Sequence, residues 1–208
     1  FYLTNFMYGF TDKLLYSTPT SLPEELINSM VNYVENREYE ISRTNEDIIK
    51  NRNPTRDNVR SSLSSWIPWD EWIPGIMFNM IQSANRDIFN YDIYHWTDQI
   101  QSTIYTSENK DHYAWHVDNS THNIVPVSEQ NPIERMERKL SISLLLSDPD
   151  EYEGGEFQIH YYRNKLYSLK PEKGTAIIFP SWVPHRVRPV TSGKRISLVG
   201  WVGGPLFR

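Results

Sequence analysis

The chain has 208 residues, of which 38% are hydrophobic and 23% are charged. This composition predicts a globular protein with a sizeable core, and the length favours one domain over two equal ones. The formal net charge of −5 removes the usual electrostatic reason to expect a nucleic-acid partner. The chain has no cysteine, which excludes disulfide scaffolds, thiolate metal sites and cysteine nucleophiles, so any metal must be bound by His, Asp or Glu.

Membrane insertion is not expected. The longest purely apolar run, at 176–179, is far shorter than the roughly 20 residues that a helix needs to span a bilayer. No basic segment followed by an apolar stretch is visible after Phe1, so no signal peptide is predicted. The expected location is the cytoplasm.

Two amphipathic helices are predicted in the first 90 residues. Ser21-Leu22-Pro23-Glu24 has the form of a capping box with Ser21 at the N-cap, and an apolar stripe at helical spacing follows it as far as Asn36. A second stripe begins near Pro74 and ends near Asn90. Between the helices, the segment 37–60 is polar and rich in asparagine, which predicts a long surface loop that could act as a lid.

The pattern changes to the alternation of β-strands after the second helix. Leu140, Ile142 and Leu144 alternate with serines, as in a strand with one packed face. Short strands with Gly and Pro between them predict a mainly β (α+β) fold, a sandwich or jelly roll, with the two helices bracing one outer face. The predicted strands lie near 92–97, 99–106, 113–118, 139–147, 156–162, 174–179, 183–190 and 195–202.

A short motif indicates a metal site. His116-Val117-Asp118 places an imidazole and a carboxylate two positions apart, and on a strand such residues point to one face and can chelate one metal ion. His185 is a candidate third ligand, because two prolines and the preceding apolar strand fix its position. Two histidines and one carboxylate leave three adjacent positions open on the metal, as in non-haem Fe(II) oxygenases.

Arg195 and Ser197 lie ten and twelve residues beyond His185. On the last predicted strand they share one face. A guanidinium there can hold the distal carboxylate of a ligand through two parallel hydrogen bonds. A dicarboxylate bound in the interior would explain an arginine at this position.

The pattern of these residues resembles that of the Fe(II)/2-oxoglutarate-dependent dioxygenases, in particular the prolyl 4-hydroxylase-like group. The resemblance covers the region from about 91 to 202 and rests on 113–119, 152–157, 174–180, His185, Arg195 and Trp201. It implies that the β region is a double-stranded β-helix, or jelly roll. It also implies a single dioxygenase domain over 1–208, with 1–90 as a helical support and loop region and 91–208 as the jelly-roll core.

The resemblance implies a role for individual residues. The positions matching the family's iron ligands are His116, Asp118 and His185, and those matching its 2-oxoglutarate contacts are Arg195, Tyr105, Ser197 and Trp201. Procollagen-type prolyl hydroxylases more often carry lysine where this chain has Arg195. That difference favours the oxygen-sensing and the bacterial or phage branches of the group.

The implied activity is hydroxylation of a protein or peptide residue, most plausibly proline, with decarboxylation of 2-oxoglutarate to succinate. The implied cofactors are Fe(II), 2-oxoglutarate as co-substrate and ascorbate, with O2 as the oxidant. The residues predicted to meet the substrate are Tyr113, Trp115 and Arg60.

Three other functions remain open from the sequence. The first is oxygenation of a free amino acid or another small molecule. The second is oxidative demethylation of nucleobases, which the acidic balance and the lack of a second arginine shortly after Arg195 disfavour. The third is a non-catalytic jelly-roll binding module, against which the intact set of three ligands and Arg195 argues.

Overall fold

The structure of the protein is a computed structural model. It describes residues 15–18, 22–44, 59–119, 124–128, 131–161 and 165–206. The described helices are α1 (Glu24–Glu35) and α2 (Trp72–Ala84), and a π-helical turn, Asn85–Phe89, continues α2. The described strands are β1 (Tyr16–Ser17), β2 (Glu40–Ile41), β3 (Arg60–Ser61), β4 (Leu63–Ile67), β5 (Ile100–Thr106), β6 (His112–His116), β7 (Val125–Ser128), β8 (Asn131–Leu145), β9 (Tyr152–Gly154), β10 (Phe157–Tyr161), β11 (Lys165–Leu169), β12 (Ala176–Pro180), β13 (His185–Val187) and β14 (Val190–Pro205).

The strands form two antiparallel sheets. In the larger one, called the major sheet, the order is β1-β12-β8-β14-β5-β4-β2, with β7 paired to β8 and β9 paired to β14. In the minor sheet the order is β11-β10-β13-β6-β3. Aromatic and aliphatic side chains from both sheets, including Phe157 of the minor sheet and Phe179 of the major sheet, pack into one apolar cluster between them. The predicted sandwich is therefore present.

The two helices cover the outer face of the major sheet. Leu140, Ile142 and Leu144 of β8 pack in one core cluster with Met30 of α1 and Met77 of α2. Burying such a side chain contributes about 1.5–3 kcal/mol. The predicted bracing helices are confirmed, and because strand residues alternate, the serines between these leucines face the opposite side, between the sheets.

The helix ends are partly as predicted. The second helix ends at Asn90, which adopts a left-handed conformation with φ of 54° and so terminates the π-helical turn. The capping box was wrong in its detail. Pro23 is the N-cap of α1, which has no side-chain hydrogen bond at this cap, and Ser21 lies outside the described residues.

The first 90 residues contribute strands to both sheets as well as the predicted helical support. β2 and β4 extend the edge of the major sheet, and β3 is an edge strand of the minor sheet. The predicted strand at 92–97 contributes only an isolated bridge between Trp96 and Val202. The ends of the predicted 37–60 loop thus belong to the sheets. The lid hypothesis depends on 45–58, which lie outside the described residues.

Within the part of the chain that the structure describes, neither helix has the length and apolar character that crossing a bilayer requires.

Candidate active site

A cavity of about 1400 Å³ lies between the two sheets. Its walls are formed by residues of β4, β5, β8 and β14 on the major-sheet side and of β6, β10 and β13 on the minor-sheet side. The predicted site residues that line it are His116, Asp118, His185, Arg195, Tyr105, Ser197, Trp201, Tyr113 and Arg60. One cavity therefore brings together all the predicted site residues except Trp115.

The two histidines and the aspartate converge at one place in the cavity wall. His116 Nε2 is 3.6 Å from Asp118 Oδ1, and His185 Nε2 is 3.3 Å from Asp118 Oδ2. One ligand atom from each residue lies within 4.8 Å of the other two, and this is the one such group of His, Cys, Asp or Glu among the described residues. The pairing of His185 with His116 across β13 and β6 brings the distant histidine to the motif.

Backbone carbonyls fix which nitrogen of each imidazole faces the cluster. His116 Nδ1 lies 2.8 Å from the carbonyl oxygen of Ala114, and His185 Nδ1 lies 2.9 Å from that of Val183. A carbonyl oxygen only accepts hydrogen bonds, so each Nδ1 carries the proton and donates it. Each Nε2 is left with a lone pair directed at the cluster, as in metal-binding histidines.

Burial keeps the imidazole of His116 neutral. It lowers the pKa of His116 to about 3, and the nearby positive charge that His185 would carry acts in the same direction. A neutral imidazole is the form that binds a metal ion. At neutral pH, His116 is therefore already in the neutral form that binds a metal ion.

Asp118 is held as a carboxylate. Burial raises the pKa of Asp118. The charge and hydrogen bond that His185 would supply in its protonated form, and then the charge of protonated His116, lower it by more, so the pKa of Asp118 lies well below its usual range. Ser141 Oγ donates a 2.8 Å hydrogen bond to Asp118 Oδ2. The Asp118 backbone N–H donates to the carbonyl oxygen of Ser181 at 2.8 Å. The carboxylate is thus fixed in position through its side chain and its backbone.

This donor set fits a divalent transition metal. Two neutral imidazole nitrogens and one carboxylate on one side of an ion form the facial triad of non-haem Fe(II) oxygenases. Hydrogen bonds to the second nitrogen of each imidazole and to the carboxylate are what such ligands require from their surroundings.

A second polar part of the cavity wall is built around Arg195. Its side chain is buried, and Nη1 donates a 2.9 Å hydrogen bond to Ser197 Oγ. Within the described ranges no carboxylate pairs with this guanidinium, and its Nε has no hydrogen-bond partner. Because a buried charge without a counter-charge is costly, the arrangement fits an anionic ligand.

Tyr105 completes this part of the cavity wall. It is the cross-strand partner of Arg195, whose guanidinium carbon lies 5.6 Å from the Tyr105 ring centre. Burial raises the pKa of Tyr105, so its hydroxyl keeps its proton and can donate to a carboxylate. Gly155 allows the close approach of the turn to this site, since a Cβ there would lie 3.1 Å from Arg195 Cδ.

Trp201 lines the same cavity. Its ring lies 6.4 Å from that of Trp66, and its buried Nε1 has no partner among the described residues. The predicted contact of Trp201 with the co-substrate therefore remains a prediction, with a buried N–H group in support of it.

Trp115 lies outside the cavity wall, and its predicted contact with the substrate remains a prediction. Regular alternation along β6 would put Tyr113 and Trp115 on one face and His116 on the other. A bulge in β6 changes this. His116 pairs with His185 and Tyr113 pairs with Val187, so β6 has one more residue between these two pairs than β13 has. Tyr113 therefore shares the cavity face with His116. Trp115 contacts His160 and Arg186 instead and is absent from the cavity wall.

Arg138 is a cavity residue that the sequence analysis missed. Its Nη2 lies 2.7 Å from Asp98 Oδ2, and its Nη1 donates to the backbone carbonyl oxygen of Asp118 at 3.3 Å. Its guanidinium carbon lies 4.2 Å from the centre of the Trp201 ring. A bulge in β8, between Leu140 and Arg138 and opposite Val202, changes the alternation of this strand, so the sequence pattern could not show that Arg138 faces the site.

Comparison with known proteins identifies the family. The sequence model of the 2OG-Fe(II) oxygenase superfamily matches residues 100–203, half of the chain. The chain belongs to this superfamily. The predicted family and enzyme class, with Fe(II) and 2-oxoglutarate as expected cofactors, are confirmed.

Among curated proteins, the chain resembles a PKHD-type hydroxylase of Hyphomonas neptunium. The two are 41% identical over 92 residues, which cover 44% of this chain and 38% of that protein. The chain thus spans well under two thirds of the length of the curated relatives that it matches.

Solved prolyl hydroxylases share the fold. A prolyl hydroxylase from Trichoplax adhaerens, in complex with a hypoxia inducible factor peptide fragment, matches with a TM-score of 0.67 at 17% identity, covering 91% of this chain and 83% of that one. The viral collagen prolyl hydroxylase of Paramecium bursaria Chlorella virus-1 matches with a TM-score of 0.62 at 20% identity, covering 92% and 97%. The predicted jelly roll is confirmed.

Proposed function

We propose that this 2OG-Fe(II) oxygenase hydroxylates a residue of a protein or peptide, most plausibly proline, and converts 2-oxoglutarate to succinate. The overall reaction takes the substrate C–H bond, O2 and 2-oxoglutarate to C–OH, succinate and CO2. The single observation that supports it best is the presence, in one cavity, of a His-Asp-His cluster and a buried arginine without a carboxylate partner among the described residues.

In this proposal the cavity residues have two different roles. His116, Asp118 and His185 would hold Fe(II), which with 2-oxoglutarate and O2 supplies the oxidising power for an unactivated C–H bond. Arg195, aided by Ser197 and Tyr105, would anchor the distal carboxylate of 2-oxoglutarate through charge-assisted hydrogen bonds. Ascorbate as a further cofactor is part of the proposal but has no residue assigned to it.

A peptide substrate is favoured over a small molecule by the size of the cavity. Its volume of about 1400 Å³ exceeds the 300–1,000 Å³ that is typical of small-molecule sites. Tyr113 and Arg60 are our candidates for contact with the substrate near the metal. The Trichoplax relative in fold was solved with a peptide, which is the same chemical class. We retain a single domain over 1–208 and a cytoplasmic location as predictions.

The proposed function predicts a 16-dalton gain on a proline-containing peptide. Anaerobically purified protein would be loaded with Fe(II), mixed with 2-oxoglutarate and a panel of proline-rich peptides, and exposed to air. Mass spectrometry should find a gain of one oxygen on proline, with one succinate formed per oxygen added. The His185→Ala variant should give neither product.

The other outcomes separate the alternatives. Oxygen added to free amino acids or nucleobases but to no peptide would favour a small-molecule or nucleobase oxygenase. Succinate formation absent under every condition, in protein shown to contain Fe(II), would contradict an oxygenase and favour a binding module.

A further inference from the structure

Three side chains at the cavity wall, those of His116, Tyr113 and Arg60, form a row in which the Tyr113 ring contacts the other two. The ring centres of His116 and Tyr113 are 3.6 Å apart, with an angle of 15° between the planes. The guanidinium carbon of Arg60 lies 4.6 Å from the centre of the Tyr113 ring. The Tyr113 ring thus contacts both a metal-ligand imidazole and a guanidinium.

Arg60 is anchored from the opposite sheet. It lies on β3, directly across from Tyr113 in the pairing with β6, and its side chain is buried. Its Nη2 donates a 2.8 Å hydrogen bond to Gln101 Oε1 on β5 of the major sheet, and its Nε donates to Ser62 Oγ at 3.0 Å. Arg60 therefore connects the Tyr113 ring to β5 of the major sheet.

His116 needs such support more than His185 does. The Nδ1 hydrogen bond to Ala114 sets the direction of the His116 ring within its own plane but does not by itself prevent the plane from tilting. The ring of His185 is enclosed by Phe157 and Phe179, at 5.5 and 4.6 Å. For His116, which is less buried than His185, the parallel ring of Tyr113 provides the equivalent wall.

We propose that Tyr113, held by Arg60, is a positioning residue that sets the plane of the His116 imidazole for metal binding. The bulge in β6 makes this contact possible, because in a regular strand Tyr113 would point away from His116. The inference rests on the proposed function, because it needs His116 to be a metal ligand.

The test is the affinity for Mn(II), measured without substrate by the electron paramagnetic resonance signal of the free ion. Removing a group that orients a metal ligand weakens metal binding by about 10- to 100-fold. We expect Tyr113→Leu to raise the Kd by about tenfold or more, and Tyr113→Phe, which keeps the ring, to restore the wild-type Kd. The control is Trp115→Leu, which removes an aromatic ring from the same strand but on the other face, and it should leave the Kd unchanged.

A second variant and a spectroscopic readout cover the case in which Tyr113→Leu does not fold. Arg60→Gln leaves the Tyr113 ring in place but removes the charge behind it. We expect this variant to raise the Kd in the same direction and to alter the visible absorption bands of the Co(II)-loaded protein, which report the arrangement of the ligands. A wild-type Kd and spectrum in folded Tyr113→Leu, or in Arg60→Gln if that is the variant that folds, would overturn the inference.

The same measurements distinguish a failure of this inference from a failure of the proposed function. If His116 does not bind metal at all, the His116→Ala variant will bind Mn(II) as the wild type does, whatever happens at Tyr113. If Tyr113 only contacts substrate, its variants will raise the KM for the peptide and leave the Kd for Mn(II) at its wild-type value.

Discussion

Replacing Asp118 with alanine is expected to abolish Fe(II)-dependent formation of succinate from 2-oxoglutarate. Asp118 supplies the carboxylate of the His-Asp-His group, and its negative charge is the part of the donor set that offsets the charge of the metal ion. Without it, two neutral imidazoles remain, which is fewer ligands than such a site uses. The measurement is succinate release by the purified variant at saturating 2-oxoglutarate.

The matched control is Asp150→Ala, which removes an exposed aspartate in the turn before β9. This variant should release succinate at the wild-type rate. Undiminished turnover in Asp118→Ala would show that the metal is held elsewhere, and the assignment of all three ligands would have to be withdrawn.

Replacing Arg195 with alanine should raise the apparent KM for 2-oxoglutarate by at least about tenfold, since a hydrogen bond to a charged group is worth about 1.5–3 kcal/mol. The guanidinium is buried beside Ser197 and Tyr105, so water cannot replace it effectively. Arg195→Lys keeps the charge but loses the two-pronged geometry, and we expect an intermediate value. The measurement is the initial rate of succinate formation against the concentration of 2-oxoglutarate.

The control for Arg195 is Arg188→Ala, since the Arg188 side chain lies just before β14 and is 52% exposed. Its KM for 2-oxoglutarate should equal that of the wild type. A normal KM in folded Arg195→Ala would mean that the co-substrate is anchored by another residue, with Arg138 as the next to test.

The sequence was sufficient to predict the helices and strands whose apolar residues recur at regular intervals. The leucines of β8 and the apolar stripes of α1 and α2 belong to one packing interface, and period-2 or period-3.6 patterns report such interfaces directly. His116 and Asp118 could be paired from their spacing, and Arg195 with Ser197 likewise. His185 could be proposed as the third ligand from the prolines and the apolar strand around it, but its pairing with His116 across β13 and β6 is a tertiary contact that the local sequence does not show.

The residues that were misplaced or missed lie where the period is interrupted. The bulge in β6 brings Tyr113, but not Trp115, to the face of His116, and the irregularity opposite Val202 brings Arg138 to the cavity face. A bulge is a tertiary feature of two paired strands, so a single strand carries little sign of it.

The missed strand β4 has a different cause. Ser64 and Ser65 are both buried and both line the cavity, so the strand shows no alternation of polar and apolar residues. Ser141 and Ser143 of β8 follow the same logic: they are buried polar residues that face the site. Serines within an otherwise apolar strand can therefore be a sign of a polar cavity as well as of an exposed face.

The most direct test of the central claim is a crystal structure of the protein grown without oxygen in the presence of Fe(II) and 2-oxoglutarate, with anomalous diffraction measured at the iron edge. One strong anomalous peak should lie within bonding distance of His116 Nε2, His185 Nε2 and an oxygen of Asp118, with the far carboxylate of 2-oxoglutarate on the guanidinium of Arg195. An iron peak outside this group, or 2-oxoglutarate bound away from Arg195, would contradict the account.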